Sequence, residues 1–322
     1  MKNKGIIIFL ILLGILIVAI IVGDFVSDRP DKREANPFEY NVDEFKEVDP
    51  ELILYRETKN FNIGFEKPAG IAVHDDRIYI TGDRSIKIIN RTGQLLLNID
   101  LNAQPTAVDA SGNKVFVAVD NQIVVYDKQG NMLKEWEHPG ENSILTSIAI
   151  ADSIVFVADA GNRRVMKYSD NGELLLQFEG KTSDEVLHGF IIPSPYFDLD
   201  VNSFGELWVV NPGRHMFENF TLEGDFRTKW SRTSMRADGF SGCCNPSYFA
   251  LMSDGSFVTS EKGIPRIKIH DQHGRFVTMV APADRFHKDT VGLDLAVDSQ
   301  DRVWVLYPKE TKVLIFAKSK GS

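Results

Sequence analysis

Residues 159–168 read DAGNRRVMKY, and a weaker form of this stretch returns five more times along the chain. A β-branched run at 154–157 (IVFV) precedes it, and a turn at 169–172 (SDNG) and an apolar run at 174–176 (LLL) follow it. The same order recurs around Asp83, Asp120, Asn211, Glu261 and Tyr307. With Asp159 included, successive positions lie 37, 39, 52, 50 and 46 residues apart. Short strands and turns that repeat with such a period are typical of a β-propeller.

Each repeat is expected to form one blade of four antiparallel strands, with a glycine in the turn before the last strand. Glycine supplies the positive φ that tight hairpins need, and the matching positions are Gly93, Gly130, Gly172, Gly224 and Gly274. The sixth repeat has no outer strand of its own, because the chain ends soon after residues 312–316. The run Glu51–Tyr55 (ELILY) resembles an outer strand, and we expect it to complete blade six. The sequence therefore predicts an all-β, six-bladed β-propeller closed by an N-terminal strand.

The amino terminus contains a long apolar run. Residues 5–23 carry no charge over 19 positions, which is enough to cross a hydrocarbon core as a helix. Lys2 and Lys4 precede the run and Asp24 and Asp28 follow it, so the propeller is expected to be periplasmic or extracellular. A cleaved signal peptide is the alternative, although its apolar region is normally shorter. The predicted divisions are a cytoplasmic stub at 1–4, a transmembrane anchor at 5–23, a charged linker at 24–47 and the propeller at 48–318.

Composition narrows the classes of partner. The 322 residues carry a formal net charge of -9 at pH 7, which disfavours nucleic acid, whose binding depends on neutralising phosphates. The chain has only two cysteines, and they are adjacent, so neither a disulfide scaffold nor a CxxC zinc site is present in the sequence.

The stretch at 159–168 also resembles a known repeat. Asp159, Asn162, Arg163 or Arg164, and Val165 match the D-x-x-N-x-R-[IV] phrase of the NHL repeat family, and the other blades match it loosely. The resemblance covers roughly residues 48–318 and implies a six-bladed propeller. It leaves the activity open, because NHL-type propellers include protein-binding and RNA-binding modules, sensor domains of membrane kinases and a few lyases. The wider six-bladed group also contains metal-dependent lactonases.

The enzymes of this group would each require a particular set of ligand residues in the channel. The resemblance to the lyases would imply several histidines at the inner channel that hold zinc, but none of the seven histidines falls into such a triplet at the starts of inner strands. The lactonases would need converging acidic and amide ligands. Asp198, Asp200 and Asp294 lie on predicted inner strands, with the first two on one face, and the rest of the channel lining reads as mostly apolar. We therefore predict no catalytic constellation.

Two loops that lead into inner strands are long, at 181–195 and 231–246. Long loops on a rigid platform are more often functional than short ones, although they can also simply cap the channel. The same face is expected to collect basic side chains that attract a protein or an anionic small molecule. These are Arg163, Arg164, Arg214, His215, Lys262 and Arg266, with His188 and Arg236 on the two loops. For Arg163 a structural pairing with Asp159 is the favoured alternative.

The pair Cys243-Cys244 is the most unusual local feature, and three interpretations remain open. Adjacent cysteines can close a strained vicinal disulfide, which an oxidising compartment favours. Two thiolates can instead bind copper(I) or another soft metal, with a histidine as a further ligand. Both cysteines can also be ordinary buried thiols. The vicinal disulfide is the interpretation we favour.

These observations together predict a membrane-anchored, extracytoplasmic binding module that acts as a sensor, scaffold or accessory subunit. The first alternative is a redox or metal-handling protein that uses Cys243 and Cys244. The second is a hydrolase or lyase of the six-bladed group, and the absence of a recognisable catalytic pattern in the sequence weighs against an enzyme.

Overall fold

The computed structural model describes residues 4–27, 42–181 and 189–319. The chain divides into two units, Met1–Val42 and Asp43–Ser322. In the first unit, helix α1 spans Lys4–Ser27 and contains the uncharged run of the sequence. Within α1 the side chains of residues 5–6 and 8–23 are described. Among the described residues, no helix is found that is long and apolar enough to span a membrane.

The second unit forms six four-stranded antiparallel sheets over its described residues. From the channel outwards, the first three blades contain β2 (Pro68–His74), β3 (Arg77–Gly82), β4 (Ser85–Asn90) and β5 (Leu95–Asp100); β6 (Pro105–Ser111), β7 (Lys114–Val119), β8 (Gln122–Asp127) and β9 (Met132–Glu135); and β10 (Leu145–Ala151), β11 (Ile154–Asp159), β12 (Arg164–Ser169) and β13 (Leu174–Phe178). The next three contain β14 (Leu199–Val201), β15 (Leu207–Asn211), β16 (Met216–Phe220) and β17 (Phe226–Ser231); β18 (Tyr248–Leu251), β19 (Phe257–Ser260), β20 (Ile267–His270) and β21 (Phe276–Ala281); and β22 (Asp294–Val297), β23 (Val303–Tyr307), β24 (Lys312–Lys318) and β1 (Tyr55–Asn62). Short 3-10 helices lie at Asp43–Phe45, Pro50–Leu52, Pro212–Arg214, Ala283–Arg285 and Pro308–Glu310. The predicted six-bladed β-propeller is therefore confirmed.

The hydrophobic core lies between neighbouring blades. The second strands are covered on both faces, so residues 155–158 (VFVA) and 207–210 (LWVV) are buried throughout and read as continuous apolar runs. Between blades four and five, Phe217 stacks on Trp230 with ring centroids 4.5 Å apart, and it contacts Phe257 of the next blade at 4.9 Å. Each blade thus needs its neighbours to bury its faces, which explains why a closed ring is required.

The turn glycines predicted from the sequence have a second role in this packing. Gly172 and Gly274 both have positive φ, at 84° and 74°. A Cβ atom on Gly172 would lie 2.5 Å from the Trp136 ring, and one on Gly274 would lie 2.3 Å from the Trp230 ring. Each tryptophan belongs to the preceding blade, so glycine is required here for close approach as well as for the turn.

Blade six is closed by an N-terminal strand, as predicted, but by a different segment. Strand β1 begins at Tyr55, where the predicted strand ends, and pairs with β24. Pro50–Leu52 instead forms a 3-10 turn capped by the Asp49 side chain, because proline fixes φ and suits the first helical position. Ile53 makes a single bridge to Met279 of blade five. The apolar residues before Tyr55 therefore lie along blade five rather than in the sheet of blade six.

In four of the six blades, the residue at the repeat position directly holds the loop that leads into the inner strand of its own blade. We call these the lead-in loops, and the end of the propeller that they form the lead-in face. Asp83 accepts hydrogen bonds from the backbone N–H groups of Lys67 and Glu66, at 2.7 and 2.8 Å. Asp159 accepts one from Ile144 at 3.0 Å. The carboxylate satisfies loop donors that no sheet partner can reach.

In other blades, chemically different residues accept the N–H groups of the lead-in loop. The Asn211 side-chain oxygen accepts the N–H of Ile191 at 2.9 Å. The Tyr307 hydroxyl accepts the N–H of His287 at 2.8 Å. At these positions an acceptor at the end of the second strand holds the loop, and the geometry of each loop decides which side chain supplies it.

Asp159 and Asp120 occupy equivalent repeat positions and form a matched pair for testing this role. Asp159 is fully buried and also pairs with Arg164 at 2.9 Å, whereas Asp120 is exposed. Asp159→Ala should lower the free energy of unfolding by about 3–5 kcal/mol, because it leaves buried donors without their acceptor. Asp120→Ala should stay within about 0.5 kcal/mol of the parent. Urea denaturation measures both, and similar losses for the two variants would contradict the assigned role.

Candidate functional site

The six inner strands surround a central channel with a cavity of about 220 Å³. Its lining is more polar than the sequence analysis predicted, because four aspartates face it. Asp198 is buried, and Asp109, Asp200 and Asp294 are half-buried. Sequence analysis had placed three of these residues on inner strands and missed Asp109. Asp109 interrupts the apolar run of β6, and this could have marked it as unusual. A single acidic residue in a strand does not show, however, whether its side chain faces the channel.

The channel aspartates join neighbouring blades. Asp198 accepts the backbone N–H of Phe249 at 2.8 Å, and Asp200 accepts that of Leu251 at 2.9 Å, so two carboxylates of blade four bind the inner strand of blade five. Where blade six meets blade one, Asp294 of blade six accepts the N–H of Ile71 in blade one at 2.9 Å. These carboxylates satisfy inner-strand donors that face the channel, and this structural role explains the acidic lining without a ligand.

Removal from water shifts the titration of these groups. Burial raises the pKa of Asp109 to about 8, that of Asp294 to about 7 and that of Asp200 to about 6, although backbone N–H groups oppose each shift. Burial also raises the pKa of Asp198 well above its usual value, and the charge of Asp294 adds to the effect. The channel therefore holds carboxyls whose pKa values are raised toward neutral pH.

At the lead-in face, two tyrosines and a lysine stand beside the channel mouth. Tyr196 and Tyr248 meet edge to face with ring centroids 5.7 Å apart. Lys262 places its Nζ 4.5 Å from the centroid of Tyr196 and donates to the Ser194 hydroxyl at 3.2 Å. Burial raises the pKa of Tyr248 well above its usual value, with the charge of Asp294 as the next cause. The tyrosine hydroxyl thus stays protonated and available as a donor.

The two cysteines lie in the same region as free thiols. Cys243 is exposed, Cys244 is buried, and their Sγ atoms are 2.9 Å apart, whereas a disulfide bond is about 2.0 Å long. The vicinal disulfide that the sequence favoured is therefore not present in the structure. The hydrogen bond to Cys244 raises the pKa of the Cys243 thiol, burial adds to this, and Lys262 opposes it.

The cysteine loop is fixed from both sides. His215 in blade four donates from Nε2 to the carbonyl of Gly242 at 2.8 Å. The Asn245 side chain donates to the carbonyl of Ser241 at 2.6 Å and accepts the N–H of Lys262 at 2.9 Å. His215 was predicted to bind a partner, but in the structure its Nε2 holds this loop.

Two of the predicted partner-binding arginines are structural. Arg266 is fully buried and pairs with Glu261, with Nε and Oε1 2.8 Å apart. Its Nη2 donates to the carbonyls of Met235 and Arg236, at 3.1 and 2.8 Å, which fixes the lead-in loop of blade five. Lys268 completes the buried cluster at 2.6 Å from Glu261, and burial lowers its pKa to about 8. Such a cluster is unavailable to a partner because all three side chains are fully buried.

The second structural arginine is Arg164, and not Arg163 as the sequence suggested. Arg164 binds Asp159 through Nε at 2.9 Å and the carbonyl of Pro139 through Nη2 at 2.7 Å. Burial would raise the pKa of Asp159, but hydrogen bonds from Asn162 and Ile144 outweigh it and hold that pKa below its usual value. The remaining candidates are exposed or half-buried, and these are Arg163, Arg214, Arg236 and Lys262. His188 lies outside the described residues.

Within residues 4–27, 42–181 and 189–319, no group of three or more histidine, cysteine, aspartate or glutamate side chains is placed to hold a metal ion.

Comparison with known proteins gives the class of fold. No protein-family model and no curated protein matches the chain. Among solved structures, a streptogramin B lyase matches with a TM-score of 0.61 and 12% identity, over 82% of this chain and 98% of that one. Virginiamycin B lyase from Staphylococcus aureus matches with a TM-score of 0.59 and 15% identity, over 82% and 100%. A protein of unknown function from Bacteroides thetaiotaomicron matches with a TM-score of 0.57 and 13% identity, over 81% and 72%. At these identities the likeness shows the propeller fold alone.

The raised pKa values of the channel carboxyls determine how the free energy of unfolding changes with pH. Folded Asp109 and Asp294 keep protons up to about pH 8 and 7, whereas the unfolded chain releases them near pH 4. The folded state therefore binds more protons between these limits. The free energy of unfolding should fall as the pH rises from about 5 to 8, by at most roughly 1.4 kcal/mol per pH unit for each carboxyl.

Asp109→Asn removes one titrating group and should flatten this decline. Exposed Asp75→Asn is the matched control and should leave the slope unchanged. Urea denaturation at a series of pH values measures both, and parallel profiles for the parent and Asp109→Asn would show that Asp109 does not carry the effect.

Proposed function

We propose that this chain is a membrane-anchored, NHL-type propeller that binds a protein partner through its lead-in face. The proposal rests on the long lead-in loop of blade five, 231–246. This loop is held by buried Arg266 and by His215, yet it presents Arg236 and Cys243 to solvent. A loop that is fixed internally and displays exposed polar groups loses little conformational entropy on binding.

The two ends of the propeller differ in a way that supports this choice. On the opposite end, only residues 75–76 connect β2 to β3, and 112–113 connect β6 to β7. Such short turns offer little surface for selection between partners.

The exposed groups of the lead-in face suggest the chemistry of the partner. Arg163 and Arg236 are exposed cations on a chain of net charge -9. Apolar side chains also stand on lead-in loops, with Ile144 43% and Val291 53% exposed. Arginine combined with apolar contacts suits a protein surface that carries acidic residues, because guanidinium pairs well with carboxylates.

Site-specific photocrosslinking tests the face directly. A photoreactive residue in place of Arg236 should give a discrete crosslinked product in the cells that produce the protein. The same residue in place of Phe204, which is 64% exposed on the opposite end, should give none. Arg236→Glu should weaken the association, because it reverses the charge offered to an acidic partner. Equal products from both positions, or none from position 236, would rule out this face.

The membrane anchor is the second part of the proposal. It is supported by the uncharged run at 5–23 and by the position of this run within α1. The flanking charges support a location of the propeller in the periplasm or outside the cell. The full chain should then stay with membranes during alkaline carbonate washing. A variant with Leu12→Arg and Ile15→Arg should be released, because each central arginine costs about 2.5–3.5 kcal/mol of insertion. A soluble mature form that begins near Asp24 would establish a cleaved signal peptide instead.

A lyase activity is the other candidate. It is favoured by the fold likeness to two streptogramin-type lyases, and the comparison carries no site residue over to this chain.

A further inference from the structure

We propose that Cys243 and Cys244 form a binding site for a soft, low-coordinate metal ion, with copper(I) as the best fit. Two thiol sulfurs 2.9 Å apart supply two soft donors at one point of the lead-in face. Thiolate ligands select soft ions such as copper(I) over magnesium, calcium or manganese. This inference goes beyond partner binding and does not depend on it.

The site has an open side and a fixed side. Cys243 is exposed, so an ion reaches it without opening the fold, and its side chain has room to change rotamer as the sulfurs separate around the ion. Cys244 is fully buried and provides the fixed donor. An exposed ligand beside a buried one gives both a path for the ion and a defined position.

The backbone that carries the two sulfurs is shaped for this arrangement. Gly242 and Cys244 both adopt positive φ, at 72° and 65°. For a cysteine this conformation is uncommon and needs support from its surroundings. The support comes from His215, which binds the carbonyl of Gly242, and from Asn245, whose side chain bridges Ser241 and Lys262. These contacts hold the backbone on both sides of the cysteine pair.

The charge balance is also suitable. Binding follows 2 RSH + Cu⁺ → [Cu(SR)₂]⁻ + 2 H⁺, so no electron is transferred and two protons leave. The product carries one negative charge. Lys262 is held beside the loop by Ser194 and Tyr196, and its ammonium acts on Cys243. A neighbouring cation stabilises the anionic complex because the site is partly shielded from water.

The full chain, purified in detergent and reduced, provides the test. Under anaerobic conditions it is titrated with copper(I) in competition with a chromogenic copper(I) chelator. We expect one copper(I) per chain, and a thiolate-to-copper charge-transfer band that appears in proportion. Zinc(II) should not compete, because a structural zinc site needs four ligands.

Single-residue variants locate the site. Cys243→Ser and Cys244→Ser should each weaken copper(I) binding by roughly 100-fold, because either change leaves one soft donor. Cys243 is exposed, so Cys243→Ser should melt at the parent temperature, and this variant separates loss of the ligand from loss of the fold. Ser203→Ala lies on the opposite end of the propeller, leaves both thiols in place and serves as the control, with one copper(I) still bound.

Three results would overturn the site. The first is a reduced parent chain that binds no copper(I), and the second is a Cys243→Ser variant that binds as tightly as the parent. The third is a pair that resists alkylation until it is reduced in protein isolated from its natural membrane, because this would establish a disulfide rather than a metal site.

Discussion

A polar side chain at the end of the second strand, which holds the lead-in loop in five of the six blades, is the constraint on which this propeller depends. The loop that leads into an inner strand crosses the end of its own blade and leaves backbone N–H groups without a sheet partner. Asp83, Asp159, Asn211 and Tyr307 each accept one or two of these N–H groups. Blade five reverses the polarity, since Glu261 holds Arg266 and the arginine binds loop carbonyls. The inner strands of these five blades therefore start from a fixed point.

In the channel, side chains also bind backbone N–H groups that have no partner in a sheet. Carboxylates of blades four and six accept N–H groups from the inner strands of blades five and one. Neighbouring blades are therefore joined by polar contacts at the channel and by apolar clusters farther out. The acids in this channel are thus explained by architecture. Burying these carboxylates costs free energy because their charge is removed from water. Protonation near neutral pH lowers that cost.

The sequence predicts the parts of this molecule that depend on period and turn chemistry. The six blades, the turn glycines and closure from the amino terminus follow from spacing, because each repeat must bury both faces. The closing strand was misplaced because β1 is an outer strand with mostly polar, exposed residues, whereas the apolar run before it packs on blade five. The structural contacts of Arg266 could not be predicted from the sequence for another reason. Arg266 reaches carbonyls 30 and 31 residues away, a contact that no local pattern encodes.

The lead-in loop of blade five combines these principles at one place. A buried salt bridge and a histidine fix its backbone, so its exposed groups are held in position before any partner or ion arrives. Most polar groups elsewhere on this face are already used to hold loops, as Arg164 and Asp159 show. The thiol of Cys243 differs, because it faces solvent and its hydrogen-bond partner is the adjacent sulfur of Cys244. The lead-in loop of blade five therefore presents the cysteine pair and the exposed Arg236 in fixed positions.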